Sequence, residues 1–134
     1  MCAAVDYYDA VYLRGIAEFN QGRFFESHEV WESLWRRQGG PSRQFYKGLI
    51  QAAVALHHLR RGNLRGARTL SARSLVCLGP YRPRYLGLDV DAFLAAMDRC
   101  LGDWSTGDRA DRVGIGRAPT PRIRLDPPPS LPTL

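Results

Sequence analysis

Lysine is nearly missing from this 134-residue chain: Lys47 stands alone, and every other basic residue is arginine. Glutamate is scarce as well, with Glu18, Glu26, Glu29 and Glu32 confined to the first quarter. No apolar run approaches the ~18 residues of a membrane-spanning helix, so no such helix is expected. The opening MCAAVDYYDA has no basic stretch followed by an apolar core, and no signal peptide is read there. Cysteine is limited to Cys2, Cys77 and Cys100, an odd number without CxxC spacing. That argues against a disulfide framework and for free thiols in a reducing compartment, placing the protein in the cytoplasm. The chain also lacks a GxxxxGK[ST] loop, a GxGxxG turn after a strand and a GxSxG elbow, which removes the usual nucleotide-binding and serine-hydrolase chemistries.

What is present is helical periodicity in a chain of single-domain length. Hydrophobic residues make up 45% and charged residues 24%, near globular averages and against wholesale disorder. The net charge of +6 is uneven, since residues 1–59 balance six basic side chains against six acidic ones. Arginine enrichment of this kind follows genome composition as readily as phosphate-binding geometry, so it does not by itself argue for nucleic acid.

Spacing predicts a first helix over about Asp9–Asn20, broken at Gly22, and a second over Phe24–Arg37. A turn at Gly39-Gly40-Pro41 precedes a third helix, Ser42 to Arg61, apolar around most of its circumference and therefore central. Gly62-Asn63 stops and restarts the chain into an amphipathic fourth helix, Leu64–Leu78, ended by Gly79-Pro80. Asp89 is placed to cap a fifth helix from Val90 to about Leu101. The expected architecture is all-α: a compact bundle of about five helices over residues 1–102, with two helix-turn-helix-like pairs. A Gly/Pro/Arg-rich tail, 103–134, is expected to be extended and partly disordered, with Ile123 and Leu125 able to dock on the bundle. Aligning Gly22 with Gly62 reveals a faint repeat of period 40, placing Ser27 on Ala67 and Trp35 on Leu75. It is reminiscent of tetratricopeptide packing.

Within the second helix the segment FFESHEVWESLW is the most informative. With Phe24 at zero, Trp35 falls near ~20°, His28 near ~40° and Glu32 near ~80° on a helical wheel. An imidazole and a carboxylate bracketed by aromatic rings are costly to bury unpaired, so they call for each other, a neighbouring helix or a ligand.

Together FNQGRFFESHEVWESLW, FYKGLIQAAVALHHLRRGNLRGA and YLGLDV, in that order, resemble the bacterial and archaeal family termed domain of unknown function 309. The resemblance covers about residues 15–95. It implies an all-helical bundle whose hallmark is a histidine, three residues, a glutamate, two residues and an aromatic, here His28, Glu32 and Trp35, with metal binding suggested. Gln51, His58, Gly62 and Asn63 also match the family pattern, whereas His57 stands where the family commonly has an aromatic.

Three readings of the chemistry follow. In the first, His28 and Glu32 chelate one divalent transition metal (zinc, manganese or iron), with Glu29 and His58 as further candidate ligands and Trp35, Gln51 and Arg43 lining the pocket. A small ligand is the other occupant of that pocket. The spacing is neither HExxH nor the paired ExxH of di-iron bundles, and no catalytic residue is assigned. In the second, His28, Glu29, Glu32, Gln51 and His58 form a buried hydrogen-bond network with Arg43 or Lys47 as counter-charge, inside a helical module that recruits a protein partner. In the third and weakest, Arg60, Arg61, Arg65, Arg68 and Arg73, with Arg82 and Arg84 interleaved between Tyr81 and Tyr85, contact nucleic acid. Nothing in the residues sets the oligomeric state, and a homo-oligomer stays open.

Overall fold

The structure is a computed structural model that describes residues 8–105 and 120–129. Five helices follow one another: α1 (Ala10–Asn20), α2 (Phe24–Arg37), α3 (Arg43–Arg60), α4 (Leu64–Leu78) and α5 (Val90–Ser105). The fold is all-α as expected, and α2 and α4 have the bounds that periodicity predicts. Caps explain several ends. The Asp9 carboxylate accepts the Val11 N–H at 2.8 Å, Asn63 Oδ1 accepts Gly66 N–H at 2.9 Å, and Asp89 accepts Ala92 N–H at 2.9 Å, each satisfying a donor the helix leaves open.

The period of 40 is real at the turns. Gly22 N–H donates to Phe19 O and Arg23 N–H to Glu18 O; forty residues on, Gly62 N–H donates to Leu59 O and Asn63 N–H to His58 O. Both glycines hold φ +80, the left-handed conformation of a helix C-terminus in which a side chain would be strained.

Away from the turns the two hairpins share a lock at a different spacing. Ser27 Oγ–H donates to the Gly15 carbonyl at 2.9 Å, and Ser74 Oγ–H donates to the Gly48 carbonyl at 2.7 Å. One turn after each serine comes a large buried side chain, Trp31 or Leu78, lying over the same glycine. Gly15 precedes Gly22 by seven residues and Ser27 follows it by five; Gly48 precedes Gly62 by fourteen and Ser74 follows it by twelve. On both sides of the second turn the lock therefore stands seven residues, about two helical turns, farther from the glycine than in the first hairpin.

The core collects Tyr12, Phe19, Phe24, Trp31 and Leu34 from the first hairpin, Phe45, Leu49, Leu56 and Leu78 from the second, and Val90, Phe93 and Met97 from α5. Trp31 spans the seam, its indole N–H donating to the Tyr12 carbonyl at 3.1 Å. Between α4 and α5 the chain makes a 3-10 turn and a two-residue ladder, β1 (Arg84–Tyr85) against β2 (Leu88–Asp89). Tyr81 and Tyr85 pack on Phe45 with centroids 5.4 and 4.9 Å away. Their hydroxyls bond Pro41 O and Ser42 Oγ.

Of the expected tail, residues 120–129 are described. Ile123 and Leu125 are buried, as expected. Asn20 grips the Ile123 backbone twice, Nδ2 donating to its carbonyl and Oδ1 accepting its N–H, both at 2.8 Å. The fifth helix, expected to end near Leu101, runs to Ser105 and so takes the first three residues of the expected tail 103–134, whose residues 106–119 and 130–134 lie outside the described residues, as does Cys2. Among the described residues no helix is long and apolar enough to cross a membrane.

Candidate functional site

Helix α3 lies between α2 and α4, and its contacts divide its surface. Arg43 sits over the Trp35 ring at 4.0 Å and His57 meets Phe25 at 5.4 Å, so this edge faces α2. Gln44, which accepts the Cys77 thiol at 3.6 Å, and His58, which meets Asn63 at 3.3 Å, face α4. Between those edges a line of half-buried residues (Arg43, Lys47, Ile50, Gln51, Val54, His57) is left part-open along α3. The candidate residues His28, Glu32, Trp35, Gln51, His58 and Arg43 therefore belong to one face spanning α2, α3 and α4, not to a closed pocket.

Individual placements correct part of the sequence reading. Glu32 is 37% exposed and His28 20%, so the pair is not enclosed between helices. Glu32 Oε1 stands 3.8 Å from His28 Nε2 and 3.6 Å from the Arg36 guanidinium, and its charge is compensated at the surface. Glu29 is exposed. No hydrogen bond among the described residues joins His28, Glu29, Glu32, Gln51 and His58, so the expected buried network does not form. The reason is geometric: a helical wheel gives the angle of a side chain but not the depth of the layer above it.

What forms instead is a chain of rings and polar contacts. His28 Nδ1–H donates to the Phe25 carbonyl at 3.1 Å. With Nδ1 so held, Nε2 is the ring nitrogen left facing the Glu32 carboxylate. Phe25 stacks near both His28 and His57, with centroids 5.3 and 5.4 Å away, and the His57 and His58 rings lie 6.2 Å apart. Asn63 Nδ2 donates to His58 Nδ1, which ties that ring to the α4 cap. Burial pushes the His57 pKa down, and Arg61, His58 and His28 add to this while Glu26 opposes it.

Two buried polar atoms have no partner among the described residues: Trp35 Nε1, a donor, and Gln51 Oε1, an acceptor. Such orphans are rare because each lacks the hydrogen bond that water would supply. Periodicity singled out Trp35 and Gln51 but could not show that they would be unsatisfied. It missed His57; the only sequence signal was a histidine where an aromatic ring is usual, and the ring contact with Phe25 gives that substitution its sense. Among the described residues, no three His, Cys, Asp or Glu side chains are grouped to hold a metal ion.

The arginine–tyrosine segment proposed for nucleic acid is engaged in the fold. Arg82 pairs with Asp91, Arg84 reaches Asp89 and the Gly87 and Asp126 carbonyls, and both tyrosines are bonded as described above. Arg60 donates to the Gly22 carbonyl at 2.7 Å and covers Phe24.

Comparison with known proteins agrees with the resemblance read from the sequence. Residues 12–70, from α1 to the middle of α4 and including the face just described, match the model of the family described as Domain of unknown function (DUF309). The chain is 40% identical over 70 residues to the Uncharacterized protein YpuF of Bacillus subtilis, covering 51% of this chain and 40% of that protein. It is 26% identical over 91 residues to an uncharacterized protein of Aquifex aeolicus, covering 67% of this chain and 27% of that protein. The chain thus spans less than half the length of these relatives.

Proposed function

We propose that the face formed by α2, α3 and α4 binds a small polar ligand, with Trp35 Nε1 as hydrogen-bond donor and Gln51 Oε1 as acceptor. The observation that carries this reading is the pair of buried polar atoms that have no partner among the described residues. Both atoms are closed to solvent, so a group that supplies the missing acceptor and donor displaces the side chains covering them and then gains two hydrogen bonds without breaking any that these atoms make to protein. Arg43 and Lys47, one turn apart on α3, give the face a positive bias toward a ligand with an anionic group. Phe25 and His57 form its apolar, aromatic end.

A second reading, favoured by one specific observation, is a divalent transition metal (zinc, manganese or iron) on His28 and Glu32. The His28 ring is oriented through Nδ1 by a backbone carbonyl, as metal-ligating histidines usually are, and Nε2 and Oε1 are 3.8 Å apart. One ion with bonds of about 2.0–2.2 Å reaches both. The protein then contributes two donors, and solvent or the ligand supplies the others. The competing view of a partner-recruiting module with an architectural polar cluster has less support on this face, since its members do not bond one another.

A thermal-shift screen of small polar metabolites, with and without zinc, manganese or ferrous ion, tests both readings on wild type, Gln51→Met and His28→Ala. Gln51→Met removes an unsatisfied acceptor, so the apo variant melts higher than wild type while losing any ligand-induced shift. His28→Ala loses metal, read by elemental analysis of protein purified without chelator, and keeps metal-independent ligand shifts. A ligand shift unchanged in Gln51→Met overturns the first reading, and wild type free of stoichiometric metal at micromolar concentrations of these ions overturns the second.

A further inference from the structure

Residues 120–129 lie along α1 as an extended peptide lies in a binding groove. Their side chains alternate: Pro121, Ile123 and Leu125 are buried, while Arg122, Arg124 and Asp126 are exposed. A period of two marks an extended segment with one face turned inward. The backbone of this segment is held by groups from distant parts of the chain. Asn20, the last residue of α1, takes both the N–H and the carbonyl of Ile123. The Gly87 carbonyl accepts the Asp126 N–H at 2.9 Å, and Arg84 donates to the Asp126 carbonyl at 3.1 Å. Tyr8, just ahead of α1, donates its hydroxyl to the Pro127 carbonyl at 2.6 Å. The segment therefore runs antiparallel to α1, from its last residue back to its start.

The holding groups are fixed by bonds of their own. The Tyr12 hydroxyl donates to the Leu86 carbonyl at 3.0 Å and ties the two-residue hairpin Leu86-Gly87 to α1. Both hairpin residues have positive φ, +45 and +78, as a tight hairpin of this kind requires. A Cβ on Gly87 would fall 2.3 Å from Tyr8 Oη, so the bare glycine lets that hydroxyl settle beside the hairpin backbone. Arg84 pairs with Asp89 across the ladder.

What the groove reads follows from these contacts. Its hydrogen bonds go to main-chain atoms, which any sequence offers, and its depth is filled by alternate side chains. Main-chain bonds then supply affinity and alternate pockets supply selectivity, as in other recognition of extended peptides. Prolines with restricted φ lower the entropy that such a segment loses on ordering. The bonds from Tyr8 and Arg84 lie at the surface, where water replaces them at little net cost. Release of the segment is thus a local opening of the fold. A second copy offers only the identical segment, and it competes with a tail present at an effective concentration of about a millimolar. A different protein with better-fitting side chains has the advantage.

We propose that the groove between α1 and the Leu86-Gly87 hairpin is a peptide-recognition site for a partner protein. Its ligand is an extended segment with aliphatic side chains at alternate positions and proline two residues beyond the second. The tail of this chain is the resident occupant, and the partner binds by replacing it. The site is separate from the face on α2, α3 and α4 and stands independently of the ligand proposed there.

The test is fluorescence anisotropy on the full chain with a labelled peptide of the tail sequence, PRIRLDPPP. A control peptide of equal composition has isoleucine and leucine adjacent. Ile123→Asp with Leu125→Asp empties the groove, and this variant binds the peptide about a hundredfold more tightly than wild type, whose tail competes in cis. Adding Asn20→Ala weakens that binding about tenfold, since the clamp on the main chain is lost. In wild type, unlabelled peptide at millimolar concentration speeds amide exchange at Ile123, read by NMR, and leaves the amides of α3 unchanged. This measurement decides the matter if the emptied variant does not fold. Equal binding of the control, no gain in a folded emptied variant, or an Ile123 amide indifferent to peptide overturns the proposal. A wild-type dimer in sedimentation that Asn20→Ala dissociates assigns the groove to the tail of a second copy and overturns it too.

Discussion

The two helical hairpins are built on one plan and end in opposite circumstances. Each closes on a left-handed glycine, Gly22 or Gly62, and each is cinched by a serine hydroxyl on a glycine carbonyl with a large side chain one turn later. The first hairpin fills its seam with Trp31, Phe19 and Phe24 and is sealed by the tail strand at Asn20. The second, with its lock about two helical turns farther from the glycine, fills its seam with Leu78 and leaves Leu75 and Val76 in solvent. Local backbone chemistry thus sets the shape of a hairpin, while the size of the side chains and the company around it decide which surfaces stay open.

The sharpest way to break the comparison is at the locking glycines. A Cβ at Gly15 would sit inside the Trp31 indole, which is fully buried and tied to Tyr12 O. At Gly48 it would come 2.6 Å from Leu78 Cγ, the branch of a flexible side chain. Gly15→Ala is expected to cost more than about 3 kcal/mol and Gly48→Ala about 1–3 kcal/mol, read by urea denaturation. Equal costs would mean that the two seams are equally deformable.

Next come the serines. Ser27→Ala and Ser74→Ala each remove one buried bond to a carbonyl, an expected loss of about 1–1.5 kcal/mol. Agreement of the two within about 0.5 kcal/mol in the same assay supports one shared device, and a larger gap separates them.

The helix starts after the turns differ. Asn63 caps α4 with its side chain, whereas Arg23 at the equivalent place makes no such bond and pairs with Glu18 at the surface. Asn63→Ala is expected to cost about 1 kcal/mol. Arg23→Ala should leave the melting temperature nearly unchanged, because exposed ion pairs are screened by solvent. Melting temperatures of the two variants decide.

The smallest effect is one of pH. The His57 pKa is lowered by burial and neighbouring cations, so the unfolded chain binds its proton first. Its contribution to stability is present above the ordinary histidine value of about 6.5 and is lost as pH falls through the depressed value in the folded state. His57→Phe, which keeps a ring against Phe25, should flatten that acid-side decline, while the slope persists if His57 is not its source.

Much of this was legible beforehand. The bounds of α2 and α4, the capping by Asp89 and the docking of Ile123 and Leu125 follow from periodicity, turn residues and hydrophobic spacing. The repeat was visible only at the turns, because a hydroxyl-to-carbonyl lock leaves no residue pattern and the second lock stands farther from its turn, out of register with the first. The ladder Arg84–Tyr85 with Leu88–Asp89 was not visible, being too short for alternation to register. At the candidate site the wheel put His28 on the same side as Glu32, and the two stand 3.8 Å apart, but it could not show that Glu32 reaches Arg36 at the surface or that Gln51 Oε1 has no partner among the described residues.

Helix identity, helix ends and the glycine turns are properties of neighbouring residues, and the order of amino acids alone determined them through backbone sterics and side-chain spacing. Which helix lies opposite a given side chain, how deep that side chain sits, and which polar atoms or apolar patches are left unmatched were decided only by the tertiary packing. They depend on contacts between residues far apart in the chain, where a difference of one helix in the neighbourhood changes burial, hydrogen bonding and charge at once.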